Sequence, residues 1–145
     1  DECMQYSLKR EAFGRPISGN QYVQGHIVQA YTQLELLRSV VGRGLTELEQ
    51  GRDCSTLASI IKMLASEAMH EACLNAMRIH GNYGYRRDFH FERLLRDSIG
   101  LFFAGGTREI HKTVIWANLV AEAQHRSKAK DDLRLDAYTG EGAAA

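Results

Sequence analysis

Between residues 23 and 48 the chain sets Val23, Ile27, Ala30, Leu34, Leu37, Val41, Leu45 and Leu48 at steps of three and four. On an α-helix that spacing gathers all eight on one side; on a strand it scatters them over both faces, so a sheet is excluded here. The period returns in Leu57, Ile61, Leu64, Ala68, Ala72 and Ile79. Two amphipathic helices of this length, joined through Gly51-Arg52-Asp53, pack antiparallel. Met4, Leu8 and Ala12 begin the chain at helical spacing, and a short helix fits near Glu92–Gly100. A last helix runs from Thr107 to about Ala129, with Ile110, Val114, Ala117 and Ala121 along one side. No alternating β-branched run and no internal repeat is present. The predicted fold is all-α, an antiparallel four-helix bundle over residues 1–130. The segment KAKDDLRLDAYTGEGAAA loses its period, so residues 131–145 are expected to be a frayed or disordered tail.

Boundary residues agree with this division. Phe13-Gly14, followed by the only proline, Pro16, is expected to stop the first helix near Ala12. Asn20 is placed to cap the long helix that follows, and Ser55 or Thr56 the next.

The chain has 145 residues, enough for one domain with a real core. Eighteen basic residues balance eighteen acidic ones, so no electrostatic footprint for nucleic acid or an anionic membrane exists. No apolar run reaches the length of a membrane span. Cys3, Cys54 and Cys73 are odd in number and far apart, which argues for separate thiols in a reducing compartment, cytoplasm or mitochondrial matrix. Asp1 opens the chain already inside a helical pattern, and the chain is expected to be a piece of a longer polypeptide.

Three segments are candidates for chemistry. In Arg10-Glu11-Ala12-Phe13-Gly14-Arg15-Pro16-Ile17, a guanidinium beside an aromatic ring and a glycine turn suits a pyrophosphate and a planar ring. The plainer reading is a cation at a helix C-terminus with Phe13 in the core. The breaks Gly81-Asn82-Tyr83-Gly84 and Gly105-Gly106 allow close backbone approach by a ligand, and they also serve as ordinary helix stops. Arg96-Asp97 is expected to form a structural ion pair.

Taken in order, R-x-x-F-G-x-P-I, G-x-x-G-Y, E-R-x-x-R-D and G-G-T-x-E-I resemble the C-terminal domain of the acyl-CoA dehydrogenases, a family of flavoenzymes. The resemblance covers residues 1 to about 125 and implies α,β-dehydrogenation of an acyl-CoA thioester with FAD, in a homodimer or homotetramer. It places Arg10, Phe13 and Gln21 against the FAD of a neighbouring subunit. Arg78, Gly81 and Asn82 would lie along the same nucleotide, although Arg78 stands where the family has glutamine and Asn82 where it has a second glycine. Thr107 and Glu109 would lie near the FAD of the same subunit, Glu109 replacing a glutamine. Many members carry the catalytic glutamate at the position of Gly105, so this chain supplies no catalytic base there. In isovaleryl- and long-chain-acyl types that glutamate sits on the preceding long helix, which would place it before Asp1.

Two rivals are weighed against this. One is a non-catalytic assembly protein of the same fold, which would need no base. The other is a di-iron carboxylate bundle, since Glu67 and His70, like Glu122 and His125, form Glu-x-x-His pairs. Glu35 and Glu92 are poorly placed as its remaining ligands, and His26, His80, His90 and His111 share no ligand spacing, so no metal is expected.

Overall fold

The computed structural model describes residues 1–139, and the side chains of residues 1–130. Helix α1 spans Glu2–Lys9, and a two-stranded ladder follows, β1 (Glu11–Ala12) against β2 (Arg15–Pro16). After a 3-10 turn at Ile17–Gly19 come α2 (Gln21–Glu49), α3 (Ser55–His80), α4 (Asn82–Tyr85), α5 (Phe91–Gly100) and α6 (Arg108–Thr139). The architecture is the all-α bundle expected, with α2, α3, α5 and α6 as its helices.

Helix α3 is the hub, with α2, α5 and α6 each making their main contacts against it. The antiparallel course of α2 and α3 is fixed at one end by Gln29 and Gln33, whose amides donate to the two oxygens of Glu71. Near the other end Gly44 lies against Ile61 and Leu57. The buried apolar centre is built of small residues on α3, Ala68, Cys73, Ala76 and Ile79, with Phe91 from α5.

Much of the α2 stripe is left open. Leu34, Leu45 and Leu48 are exposed, and Ala30, Leu34 and Leu37 line a groove of about 410 Å³ with Ala65, Met69 and Leu101. Helix α1 has eight residues and is therefore about 12 Å long, so it covers only one end of the 29-residue α2.

Three boundaries differ from the expectation. The first helix ends at Lys9 rather than Ala12, because Arg10 turns extended and Glu11–Ala12 pairs with Arg15–Pro16. The buried residue of α1 is Ser7, whose hydroxyl donates to the Met4 carbonyl, while Met4 and Leu8 are exposed. Asn20 caps α2 as expected, its Oδ1 accepting from the Tyr22 N–H at 2.9 Å. Neither Ser55 nor Thr56 caps α3: the Asp53 carboxylate accepts from both the N–H and the hydroxyl of Ser55. The last helix runs to Thr139, ten residues beyond Ala129. Lys, Ala, Leu and Arg in that stretch favour helix even without an apolar stripe. The remainder of the expected tail, residues 140–145, lies outside the described residues.

Candidate functional site

The first segment forms a tight hairpin instead of a helix end. Its two turn residues, Phe13 and Gly14, have φ of 54° and 77°. Positive φ at both central positions matches the twist of a two-residue hairpin but strains any residue with a Cβ. Phe13 is the non-glycine residue with positive φ among those described, and its side chain is 103% exposed. The core reading of Phe13 is thereby overturned: a bulky ring is held in an unfavourable backbone state with no burial in return.

Arg10 precedes the hairpin, and its carbonyl accepts from the Ile17 N–H. Its guanidinium lies 5.8 Å from the centre of the Tyr83 ring, and Arg86 lies 5.9 Å from the same centre. This brings the Arg10 segment and the Gly81–Gly84 segment together. Gly81 turns α3 into α4 with φ of 57°, while Asn82 starts α4 and does not take the left-handed state. Gly84 is needed for packing: a Cβ there would meet the Met77 Cα and carbonyl oxygen at 2.8 Å. Arg78 is exposed and donates to Asn75 Oδ1 at 3.0 Å, and Gln21 is exposed at the first position of α2. Beneath them His80 is stacked between Tyr6 and Phe91, each at 4.1 Å, with Nδ1–H donating to the Ala76 carbonyl.

A second cluster surrounds the Gly105-Gly106 turn, whose φ angles are 70° and 102°. Lys62 of α3 donates to the Leu101 carbonyl at 2.6 Å, and its Cε is the atom nearest to where a Gly105 Cβ would stand. Arg108 pairs with Glu67, a charge contact rather than an aligned hydrogen bond, since Glu67 Oε1 finds no directed donor. The Glu109 carboxyl is held below its ordinary range by its own backbone N–H first and by the Thr107 hydroxyl second. Its charge therefore settles the first turn of α6, where an anion is favoured.

The two clusters do not meet. Glu67 belongs to one and His80 adjoins the other, which separates them by about 20 Å along α3 at 1.5 Å per residue. Of the expected site residues, Arg10, Arg78, Gly81 and Asn82 lie at the C-terminal end of α3 and Thr107 and Glu109 adjoin its middle, while Phe13 and Gln21 are exposed on the hairpin and at the start of α2.

One smaller expectation is corrected. Arg96 pairs with Glu92, one turn back on α5 at 3.6 Å, and not with Asp97; neighbours in a helix point about 100° apart. The di-iron rival loses its ligands to other partners. Glu67 pairs with Arg108, His70 bonds Ser98 at 3.0 Å, and Glu122 pairs with Arg126. Among the described residues no three His, Cys, Asp or Glu side chains gather. Burial pushes the Cys3 and Cys73 thiols above their ordinary range, which favours the thiol over the thiolate.

Against known proteins, the family model described as acyl-CoA dehydrogenase, C-terminal domain, matches residues 1–120. An acyl-CoA dehydrogenase of Bacillus subtilis is 36% identical over 115 residues, 79% of this chain and 30% of that protein. The mitochondrial isovaleryl-CoA dehydrogenase of Oryza sativa is 33% identical over 84% of this chain and 30% of its own length. The solved FAD complex of PigA superposes with a TM-score of 0.78 at 26% identity, over 81% of this chain and 31% of that one. This chain thus spans about 30% of the length of the relatives it matches. It belongs to the acyl-CoA dehydrogenase family, as its C-terminal domain.

Proposed function

We propose that this chain is the helical C-terminal part of an FAD-dependent enzyme that dehydrogenates an acyl-CoA thioester between Cα and Cβ, and that it acts in a homodimer or homotetramer. The observation that carries this reading is the separation of the two clusters along α3. One copy faces two distant places, which suits contact with a neighbour's flavin nucleotide at Arg10, Phe13, Gln21, Arg78, Gly81 and Asn82, and with its own at Thr107 and Glu109.

The residues at the first place fit such a group. Arg10 and Arg86 flank Tyr83, and Phe13 is exposed on the hairpin that follows Arg10, so the segment offers cations and flat apolar faces. That set answers to phosphates joined to planar rings. FAD, when bound, accepts the β-hydride. The chain's own part is to hold the nucleotide and to shape one wall of the pocket around the Gly105 turn. Gly105 has no side chain, so this turn supplies no base for the α-proton, which would have to go to a carboxylate elsewhere in the enzyme. The second reading, a non-catalytic assembly protein of this fold, is not favoured by the acyl-CoA dehydrogenase relatives, and turnover of any acyl-CoA by the intact protein excludes it.

Partner surfaces are available. Ile110, Trp116 and Leu119 expose apolar area along α6, and the α2–α3 groove is lined mainly by apolar side chains, Leu34, Leu37 and Met69 among them. No helix among the described residues is long and apolar enough to cross a membrane. Three free thiols support a reducing compartment, cytoplasm or mitochondrial matrix.

The test replaces Arg10 and Arg86 together by Ala in the intact protein and measures flavin per subunit alongside the assembly mass. Loss of flavin with a preserved fold is expected. Full flavin content in the double variant ends the assignment of this face to the nucleotide.

A further inference from the structure

His111, on the first turns of α6, touches three elements at once. Its Nε2 lies 3.2 Å from the Gly105 carbonyl oxygen and its Nδ1 lies 3.3 Å from the Ser59 hydroxyl on α3. A carbonyl only accepts, so Nε2 carries the proton, and in the Nε2–H tautomer Nδ1 is an acceptor for the Ser59 hydroxyl. Ser59 is buried and therefore a fixed anchor.

The turn it reaches has little else to hold it. The nearest backbone bonds run from the Ala104 N–H to Gly100 and from the His111 N–H to Thr107; between them Gly105 and Gly106 donate none. Both glycines sit at positive φ, where the chain has its widest freedom. The imidazole also lies hard against the turn, since a Cβ on Gly106 would stand 3.1 Å from Nε2. Lys62 pins the other side through Leu101.

We propose that His111 is the positioning residue of the Gly105–Gly106 turn. Its Nε2–H bond ties the Gly105 carbonyl to α3 by way of Ser59 and so sets where the turn stands. That the turn meets a flavin and acyl-CoA pocket rests on the function proposed above; the tie itself does not.

Two variants separate the ring's two bonds. In His111→Gln the amide nitrogen lies as many bonds from Cβ as Nε2 does through Cδ2, so the bond to Gly105 survives. In His111→Asn polar atoms reach only as far as Nδ1, so the bond to Gly105 is lost. Amide exchange at Ala104, read on the full chain, is expected to accelerate roughly fivefold in the Asn variant, the worth of one hydrogen bond, and to stay at the wild-type rate in the Gln variant. Nitrogen spectra of the ring are expected to show the proton on Nε2. Equal exchange in the two variants, or a proton on Nδ1, overturns the proposal. In the flavin-loaded protein the Asn variant is expected to shift the flavin absorbance and the Gln variant not to. Faster exchange with an unmoved flavin spectrum keeps the tie and removes the turn from the flavin site.

Discussion

Replacing Phe13 by Gly separates what the hairpin costs the fold from what it does for a ligand. A side-chain-bearing residue in the left-handed region costs about 1–2 kcal/mol, and Phe13 has φ of 54°. Glycine removes that strain but brings extra freedom to the unfolded chain, about 0.5–1 kcal/mol. The ring is fully exposed, so no apolar burial is lost with it. The balance is a gain of about 0 to 1.5 kcal/mol for Phe13→Gly, a rise of up to roughly 5 °C in melting temperature for a chain of this size. Calorimetry on wild type and variant reads it, and Phe13→Asn, which tolerates the same φ, checks that backbone state is the cause. In the intact protein the same change is expected to lower flavin retention. A melting temperature that falls by several degrees would refute the strain argument, because the ring would then be packed. Unchanged flavin content would show that the ring does nothing for the nucleotide.

Gly84→Ala is expected to lose roughly 1–3 kcal/mol by chemical denaturation, because its Cβ would press on Met77 backbone that cannot swing away. Gly42→Ala, in α2 with nothing within 4 Å, should instead gain about 0.5–1 kcal/mol; equal effects would contradict the close approach of α4 to α3. Ser98 is 1% exposed, gives its proton to the Leu95 carbonyl and accepts from His70, so Ser98→Ala should cost about 1–3 kcal/mol; a wild-type melting temperature would mean the His70 bond carries no stability. Asp53 is held below its ordinary 3.8 by the Ser55 N–H and then the Ser55 hydroxyl. A depressed carboxyl stabilises the fold fully above its unfolded value and loses that effect as pH falls through the folded one. Stability measured from pH 6 downward should therefore drop less steeply below about 4 in Asp53→Asn than in wild type; parallel curves would remove Asp53 from the cap.

The parts of the fold that could be read ahead are those written in a local period. Val23 to Leu48 and Leu57 to Ile79 repeat every three or four residues, and a period is local information that survives without a structure. Asn20 was readable for the same reason, since a cap acts on the next two residues. The hairpin at Glu11–Pro16 was not, because strands of two residues carry no alternation and Phe13 is among the last residues to expect at positive φ. Asp53 was missed because it lies two residues before Ser55, and a Ser or Thr in the expected place drew the assignment to itself.

The candidate site divides along the same line. Arg10, Phe13, Gly81 and Thr107 are candidates through motif order, which names residues but not where they stand. The approach of Arg10 to Tyr83, and the distance of Thr107 from that contact, depend on how far α3 carries the chain between two turns. His111 had no ligand spacing to announce it, since its partners are Ser59, 52 positions away, and a carbonyl that has no side-chain identity at all. A residue whose work is to hold backbone leaves no motif at its target, only a glycine that any turn would also want. Such a residue has to be found from its donor and acceptor geometry, which is why the tautomer of His111 is the decisive observable for the Gly105 turn.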